Sequence, residues 1–569
     1  MRTELDQRMD ATMAALTAPG GMLALTKVER PWGSLPAIAA APPSLPLYFA
    51  HYCAEHADKT LIVAGAERLS FAETYALAQR VARALVAGYG IGKGDRVGIA
   101  MRNSPSWIVL YMGIVMAGGV ATLLNGWWQA EELGEAIVAV DCALVVADGP
   151  RAERIAAAPG VKPAMVTIED RLPLAQALEP VIARDVADTA LPAVGAEDDA
   201  TILFTSGSTG KSKGAVSQHR AVVQGTFSFL SQALMMLAIA TADGNAPTIQ
   251  PATLLTLPLF HVTAEVTVML QSFAMGRKLV LMPKWDALEA MRLIEAEQVT
   301  YFVGVPLMSF EILTHPERHR FDLSTVTDFA AGGAPRPVEH VRRLNEELGG
   351  PAPLIGYGLT ETNAVGAGNW RSNYLNKPAS TGRPSAPLVE IAILDEAGAR
   401  LPQGGRGEIA IRSICNFRGY WNNPEATAAC ITADGFFRTG DLGYLDDDGY
   451  VFIVDRAKDI VIRGGENIAC QEVEAALYAH PAVAEAAVFG LADERYGEVP
   501  GAVVHLREGE GAGGGVDEAA LRAFLGEHIA AFKVPTRIWL SAVALPRLGT
   551  EKIDKVSLRN TYRALAAAA

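Results

Sequence analysis

Thr205-Ser-Gly-Ser-Thr-Gly-Lys-Ser-Lys-Gly214 gathers three glycines, five hydroxyl side chains and two lysines into ten residues. Glycines let a backbone turn and approach a ligand closely, and free N–H groups, hydroxyls and ammonium groups are what phosphate oxygens take up. The preceding Ala200-Thr-Ile-Leu-Phe204 reads as a short buried strand, and His219 through Phe229 reads as a helix with apolar residues at helical spacing. The stretch is therefore a phosphate cradle between strand and helix, a Ser/Gly-rich surface loop being the alternative for the motif taken alone. It is not a Walker A loop. That pattern needs glycine five residues before the Gly210-Lys211-Ser212 triplet, and Thr205 stands there.

The loop resembles the signature of the adenylate-forming superfamily: acyl-CoA synthetases, peptide-synthetase adenylation domains and luciferases. Further motifs follow in the family's order: Gly356-Tyr-Gly-Leu-Thr-Glu-Thr362, Arg438-Thr-Gly-Asp441, Asp455-Arg-Ala-Lys-Asp459, Arg463-Gly-Gly-Glu-Asn467, and Pro546 to Ile553. The resemblance implies an α/β fold. Its large N-terminal domain (residues 1–457) holds layered sheets and a β-barrel-like subdomain, and a small mobile α+β lid (residues 458–569) swings about a hinge at Lys458.

Composition sets independent bounds. A chain of 569 residues, half of them hydrophobic and a fifth charged, is long enough for two or more packed units. A formal net charge of −14 argues against a nucleic-acid partner. Five cysteines without CxxC spacing indicate neither a disulfide framework nor a zinc site, and fit a reducing cytoplasm. Met1 to Leu23 lacks the basic-then-apolar order of an export signal. Trp107 to Leu124 approaches membrane-spanning length, but Gly118-Gly119 divides it into a helix and a strand, so buried core is expected and no integral membrane segment. Before the phosphate loop, Phe71 to Tyr89 has helical spacing, while Gly94 to Met101 and Ala143 to Ala147 read as strands. Such alternation points to α/β layers around largely parallel sheets. Asn125-Gly-Trp-Trp128 departs from the family's proline-containing turn and suits an interface or entrance.

Roles follow from the resemblance, residue by residue. Thr205, Ser206, Gly207, Ser208, Thr209, Gly210 and Lys213 would hold ATP phosphates, with Gly332, Gly333, Ala334, Pro335, Tyr357 and Gly358 around the adenine. Asp441 and Arg456 would clamp the ribose, as acceptor and donor to its hydroxyls. Attack of a carboxylate on the α-phosphorus brings negative groups together, so Glu361, a hard oxygen ligand, is the expected Mg²⁺ ligand, and Thr360 offers its hydroxyl to the α-phosphate. His261 ends the apolar run Thr253 to Leu257 and, with Val305, Ala331, Gly332 and Gly358, is expected beside the acyl group. Gly464, Gly465 and Glu466 would line the CoA tunnel, although Ala469 and Cys470 replace the usual aromatic residue and proline. Lys552 would reach the α-phosphate and acyl oxygens; Glu551 stands before it where relatives have glycine, and Ser212 where proline is common.

The expected activity is an ATP- and Mg²⁺-dependent carboxylate:CoA ligase working through an acyl-adenylate. A medium- or long-chain fatty acid is the expected substrate. An aryl or arylalkanoic acid and an adenylation enzyme loading a carrier protein are the alternatives. The expected partners are the acid, ATP and CoA, no nucleic acid, and a second copy in a homodimer.

Overall fold

In the computed structural model, the structure describes every residue except 1, 159, 161–162, 206–211, 335, 349–351, 457–458, 464–465, 508–514, 549–551 and 569. Two large sheets dominate. The seven-stranded one runs Gly419–Tyr420, Lys213–Gln218, Asp199–Thr205, Val120–Leu123, Arg96–Ala100, Leu144–Asp148 and Met165–Ile168 from edge to edge. Its five consecutive strands from Asp199–Thr205 to Met165–Ile168 are parallel. The nine-stranded sheet runs Arg383–Pro384, Ala367–Trp370, Ala352–Tyr357, Asp328–Gly332, Tyr301–Gly304, Ala252–Leu255, Lys278–Leu281, Thr60–Ala64 and Glu67–Ser70. It is parallel in the middle and antiparallel at both edges.

The divided reading of Trp107 to Leu124 holds: Pro105–Met116 is a helix and Val120–Leu123 a strand. Ser104 caps the helix by accepting the Trp107 N–H at 3.2 Å, and Pro105 opens it where no backbone donor is needed. Apart from Pro105 its residues are buried, as expected of a helix apolar all round. Phe71–Arg83, which packs against it, is amphipathic and begins with a reciprocal Ser70/Glu73 capping box. Among the described residues one helix, His219–Ala242, is long and apolar enough to cross a membrane, and two-thirds of its apolar window is buried inside the protein.

One expectation about the phosphate loop changes. The loop does not run from strand to helix; it joins two antiparallel strands, Asp199–Thr205 and Lys213–Gln218, with Thr205 paired to Lys213, and the helix begins only at His219. Lys213-Gly-Ala-Val-Ser-Gln218 alternates too briefly between turn and helix for its strand to be read. Sheet pairing with Asp199–Thr205 and Gly419–Tyr420 supplies what local pattern lacks.

A four-stranded antiparallel sheet, Val389–Leu394, Gly407–Ser413, Phe437–Leu445 and Val451–Arg456, occupies the place expected for a barrel-like subdomain; among the described pairings, none closes its last strand on its first. The C-terminal part is a separate layered unit. Its sheet of five strands carries the helices Cys470–Tyr478 and Glu518–His528 against one apolar cluster and Lys555–Ala568 against another. Cys470 is buried there and donates its thiol to the Asp459 carbonyl at 2.9 Å, a structural role, and burial raises its pKa. The hinge residue Lys458 lies outside the described residues.

Candidate active site

Strand register builds the first part of the site. Phe437–Leu445 and Val451–Arg456 pair so that Asp441 stands opposite Arg456, and the guanidinium Nε lies 3.2 Å from Asp441 Oδ1. Tyr357, arriving from the nine-stranded sheet, donates its hydroxyl to Asp441 Oδ2 at 2.7 Å. Burial and the Asp441 charge push the Tyr357 phenol well above its usual range, so it stays a donor. A shift of register near Asp441 turns the strand at Gly440, whose φ is +74°. Glu408 holds that turn by accepting the Gly440 N–H at 2.9 Å and pairing with Arg438, while Thr439 donates to the Ile409 carbonyl at 2.7 Å. Such a bulge re-aims a side chain, and here it aims Asp441 at the cleft.

A second group sits at the end of Ala352–Tyr357. Thr360–Thr362 is a single 3₁₀ turn that places Glu361 in a nearly closed environment, where burial raises its carboxyl pKa. Tyr420 donates to Glu361 Oε1 at 2.7 Å, and the Lys213 ammonium stands 5.1 Å above the Tyr420 ring. Tyr420 thus links the phosphate-loop strand to Glu361. Nothing in Arg418-Gly-Tyr-Trp421 announces that role, which comes from the short edge strand pairing with Lys213–Gln218.

The third group comes from both parts of the chain. Leu548 donates its N–H to the Lys552 carbonyl at 2.7 Å, and Arg547 bridges Ile553, so a tight loop presents Lys552. Its side chain crosses to the large part. A Cβ built on Gly333, where φ is +76°, would stand 3.0 Å from Lys552 Cε and 3.3 Å from Nζ. A side chain there would crowd the end of Lys552, and the left-handed φ itself favours glycine. Burial lowers the Lys552 pKa to about 8, helped by Arg456 and opposed by Asp441. Burial, with the nearby Lys552 charge, lowers His261 to about 3, so the imidazole is neutral at physiological pH.

His261 begins an eight-residue π-helical stretch, Thr263–Leu270, by accepting the Ala264 and Glu265 N–H groups. Glu265 is fully buried; its Oε1 accepts the Tyr111 hydroxyl at 2.7 Å, its Oε2 has no partner, and burial raises its pKa to about 8. That pair ties the His261 segment to the helix Pro105–Met116, and an apolar-looking sequence gives no sign of it.

Val305 and Ala331 are buried at the ends of neighbouring strands, and Ala334 follows Gly333 in the turn at the cleft. Gly358 does not face open space: a Cβ there would meet the Ala364 carbonyl oxygen at 2.0 Å, so the glycine allows close backbone packing. Glu466 is exposed and stands opposite Arg463 in strand register, and the Arg463 guanidinium stacks on Tyr496 at 4.0 Å. Ser206, Gly207, Ser208, Thr209, Gly210, Pro335, Gly464, Gly465 and Glu551 lie outside the described residues. Trp127 is exposed under the Arg102 guanidinium at 4.8 Å, while Trp128 packs on Phe204 at 5.3 Å.

Comparison with known proteins adds an independent line. Residues 49–421 match the model of AMP-binding enzymes, and residues 472–552 match that of the AMP-binding enzyme C-terminal domain. A long-chain-fatty-acid–CoA ligase of Mycobacterium tuberculosis, FadD13, is 34% identical over 87% of this chain and 94% of its own length. A feruloyl-CoA synthase from Amycolatopsis is 32% identical over 88% and 96%. Among solved structures, ATP-bound MatB from Rhodopseudomonas palustris superposes with a TM-score of 0.80 at 31% identity, covering 92% of this chain and 99% of that one. The apo form of MatB gives 0.69 over the same coverage.

Proposed function

The chain belongs to the AMP-binding enzymes of the adenylate-forming superfamily, and from that premise we propose that it is an AMP-forming acid–thiol ligase that joins a hydrophobic carboxylic acid to CoA, with a medium- or long-chain fatty acid as its substrate. The observation that carries this reading is the insertion of Lys552 beside Gly333, facing His261 and near the Asp441–Arg456 pair.

The roles follow from the chemistry of each group. The Asp441 carboxylate and the Arg456 guanidinium accept from and donate to the ribose hydroxyls of ATP. Thr205, Lys213 and the loop 206–211 take the phosphates, and Thr360 the α-phosphate. One oxygen of the acid attacks the α-phosphorus; the new P–O bond forms as the bond to the β-phosphate bridging oxygen breaks, and pyrophosphate leaves. The Lys552 ammonium balances charge growing on the α-phosphate and the acid. In the second half-reaction the CoA sulfur bonds to the acyl carbon, the C–O bond to AMP breaks, and the thiol proton passes to solvent. The C-terminal unit, divided from the large domain after residue 457, turns about Lys458 between the two steps. The closer match to ATP-bound than to apo MatB supports assigning the present arrangement to the first step. In the second, the Arg463–Ile468 hairpin would replace Lys552 at the cleft.

The donor set fits Mg²⁺ carried by the nucleotide. Among the described residues there is no group of three or more His, Cys, Asp or Glu able to cage a metal, and Glu361 is a lone hard carboxylate beside the phosphate strand. Mg²⁺ is held in this way by one or two carboxylates plus substrate phosphates. It would neutralise phosphate charge, and Glu361 would position it. All five cysteines are free thiols, as suits a reducing cytoplasm.

An aryl or arylalkanoic acid is the second reading, favoured by the similarity to the feruloyl-CoA synthase. A panel of straight-chain, aryl and arylalkanoic acids, scored for CoA-dependent AMP formation, tests both. Medium- and long-chain acids should give the highest kcat/KM. Best turnover on a cinnamic-type acid would shift the assignment, and discharge to a carrier protein but not to CoA would overturn it.

A further inference from the structure

A second seam joins the C-terminal unit to the large domain, away from the loop that carries Lys552. Arg507 follows the strand Gly497–Leu506 of the C-terminal sheet. Its backbone N–H donates to the Ala482 carbonyl at 2.9 Å and its Nε to the Val483 carbonyl at 3.3 Å, so it is rooted in its own unit. Its guanidinium reaches across the seam: the central carbon stands 5.5 Å from the centre of the Phe310 ring, in the large domain. A guanidinium within about 6 Å of a ring centre is drawn to the electron-rich face.

Phe310 is held in place for that contact. It lies on the helix Pro306–Thr314 and stacks on His340 of the helix Val338–Leu348, with the ring centres 4.1 Å apart and the planes 16° from parallel. Arg343, one turn after His340, places its own guanidinium 5.6 Å from the same ring and pairs with Glu347 at 2.6 Å. Burial lowers the His340 pKa to about 4, and the Arg336, Arg343 and Arg507 charges act in the same direction. The imidazole is therefore neutral at physiological pH. The ring attracts Arg507 while Arg336 and Arg343 repel it, so the contact can seat the unit without locking it.

Short connections couple this seat to the reacting centre. Pro306–Thr314 begins beside Val305, just after the strand Tyr301–Gly304. Val338–Leu348 follows the strand Asp328–Gly332 and the turn at Gly333 that Lys552 crosses. Those two strands are parallel neighbours in register. Arg507 and Lys552 are thus two points of one unit that meet structures leaving adjacent strands. Two such points fix an orientation that a single point on a hinged unit leaves free.

We propose that Arg507 and Phe310 are positioning residues for adenylation: their contact seats the C-terminal unit in the pose that delivers Lys552, and it parts when the unit turns for thioester formation. Neither residue takes part in bond making. This rests on the acyl-CoA ligase reading above and adds how its first step is set up.

The two half-reactions of the full-length enzyme test it: a medium-chain alkanoic acid with ATP and Mg²⁺ for the first, supplied acyl-AMP with CoA for the second. Contacts of this kind shift an equilibrium about two- to thirtyfold. Arg507→Ala and Phe310→Ala should each slow acyl-AMP formation about fivefold or more, while discharge of acyl-AMP to CoA does not fall. The double variant should be no slower than the slower single variant, because both changes remove one contact. Phe310→Tyr, which keeps the ring, should retain the wild-type rate. Melting curves record folding, and Arg507→Ala, which leaves the Phe310–His340 stack in place, decides the matter if Phe310→Ala is unstable. Equal slowing of both half-reactions in folded Arg507→Ala, additive losses in the double variant, or no change at all overturns the proposal. Hydrogen exchange gives a readout free of turnover: exchange in Pro306–Thr314 and Val338–Leu348, both in the other unit, should rise in Arg507→Ala, and unchanged exchange overturns the contact. Failure of the wild type to form acyl-AMP from any acid would instead remove the ligase reading, and hydrogen exchange would still decide whether Arg507 seats on Phe310.

Discussion

Asp441 and Lys552 reach the same cleft by different routes. Asp441 is fixed by the large domain alone: a register partner at 3.2 Å, a tyrosine hydroxyl at 2.7 Å from the nine-stranded sheet and a bulge braced by Glu408 hold it. Lys552 arrives from a separate unit on a tight loop, and burial destabilises its charge enough to bring its pKa to about 8. A group built into a sheet serves every step that needs the nucleotide. A group delivered by another unit can serve one step and then leave, which a two-step reaction requires.

The sharpest way to break this contrast is Lys552→Ala. Loss of one well-placed charge-stabilising donor costs about 3 kcal/mol, on the order of a hundredfold in rate. Acyl-AMP formation from acid and ATP should fall by at least that much, while CoA-dependent discharge of supplied acyl-AMP should keep most of its rate. Equal loss in both half-reactions of a folded variant would mean that Lys552 is as fixed as Asp441.

Asp441→Asn is the counterpart. It keeps the shape but removes the charge that Arg456 and Tyr357 bond to, and hydrogen bonds to charged groups contribute about 1.5–3 kcal/mol each. KM for ATP should rise about tenfold or more, and discharge of supplied acyl-AMP should weaken too, because both steps hold the nucleotide. A defect confined to adenylation would contradict the ribose role.

The smallest effect refines the contrast through pH. Lys552 is an ammonium below about pH 8 in the free enzyme and loses its proton above it. The kcat/KM for adenylation should therefore decline as pH rises through 8, while discharge does not share that limb. Lys552→Arg, whose guanidinium stays protonated, should flatten the decline even where its rate is lower. A limb that persists in the arginine variant belongs to another group.

Much of the site was legible because its residues carry local chemistry. Gly356 to Thr362, Arg438 to Asp441 and Pro546 to Ile553 are short runs whose composition and order mark them, and the structure brings Tyr357, Asp441, Arg456 and Lys552 to one cleft. Tyr420, Glu265 and Glu408 were not legible. Each acts through a partner far away in sequence, Glu361, Tyr111 and Gly440 respectively, and a lone tyrosine or glutamate has no pattern of its own. The strand Lys213–Gln218 was missed because sheet pairing rather than side-chain periodicity creates it.

By itself, then, the sequence determined the fold class, the order of the motifs and the kind of chemistry, since backbone periodicity, glycine placement and charge are properties of nearby residues. Only the tertiary structure decided that Thr205 pairs with Lys213 in a sheet, that Tyr420 reaches Glu361, and that Lys552 passes over Gly333. Those facts depend on strand register and on the docking of distant segments, which burial and hydrogen bonding settle over the whole chain at once.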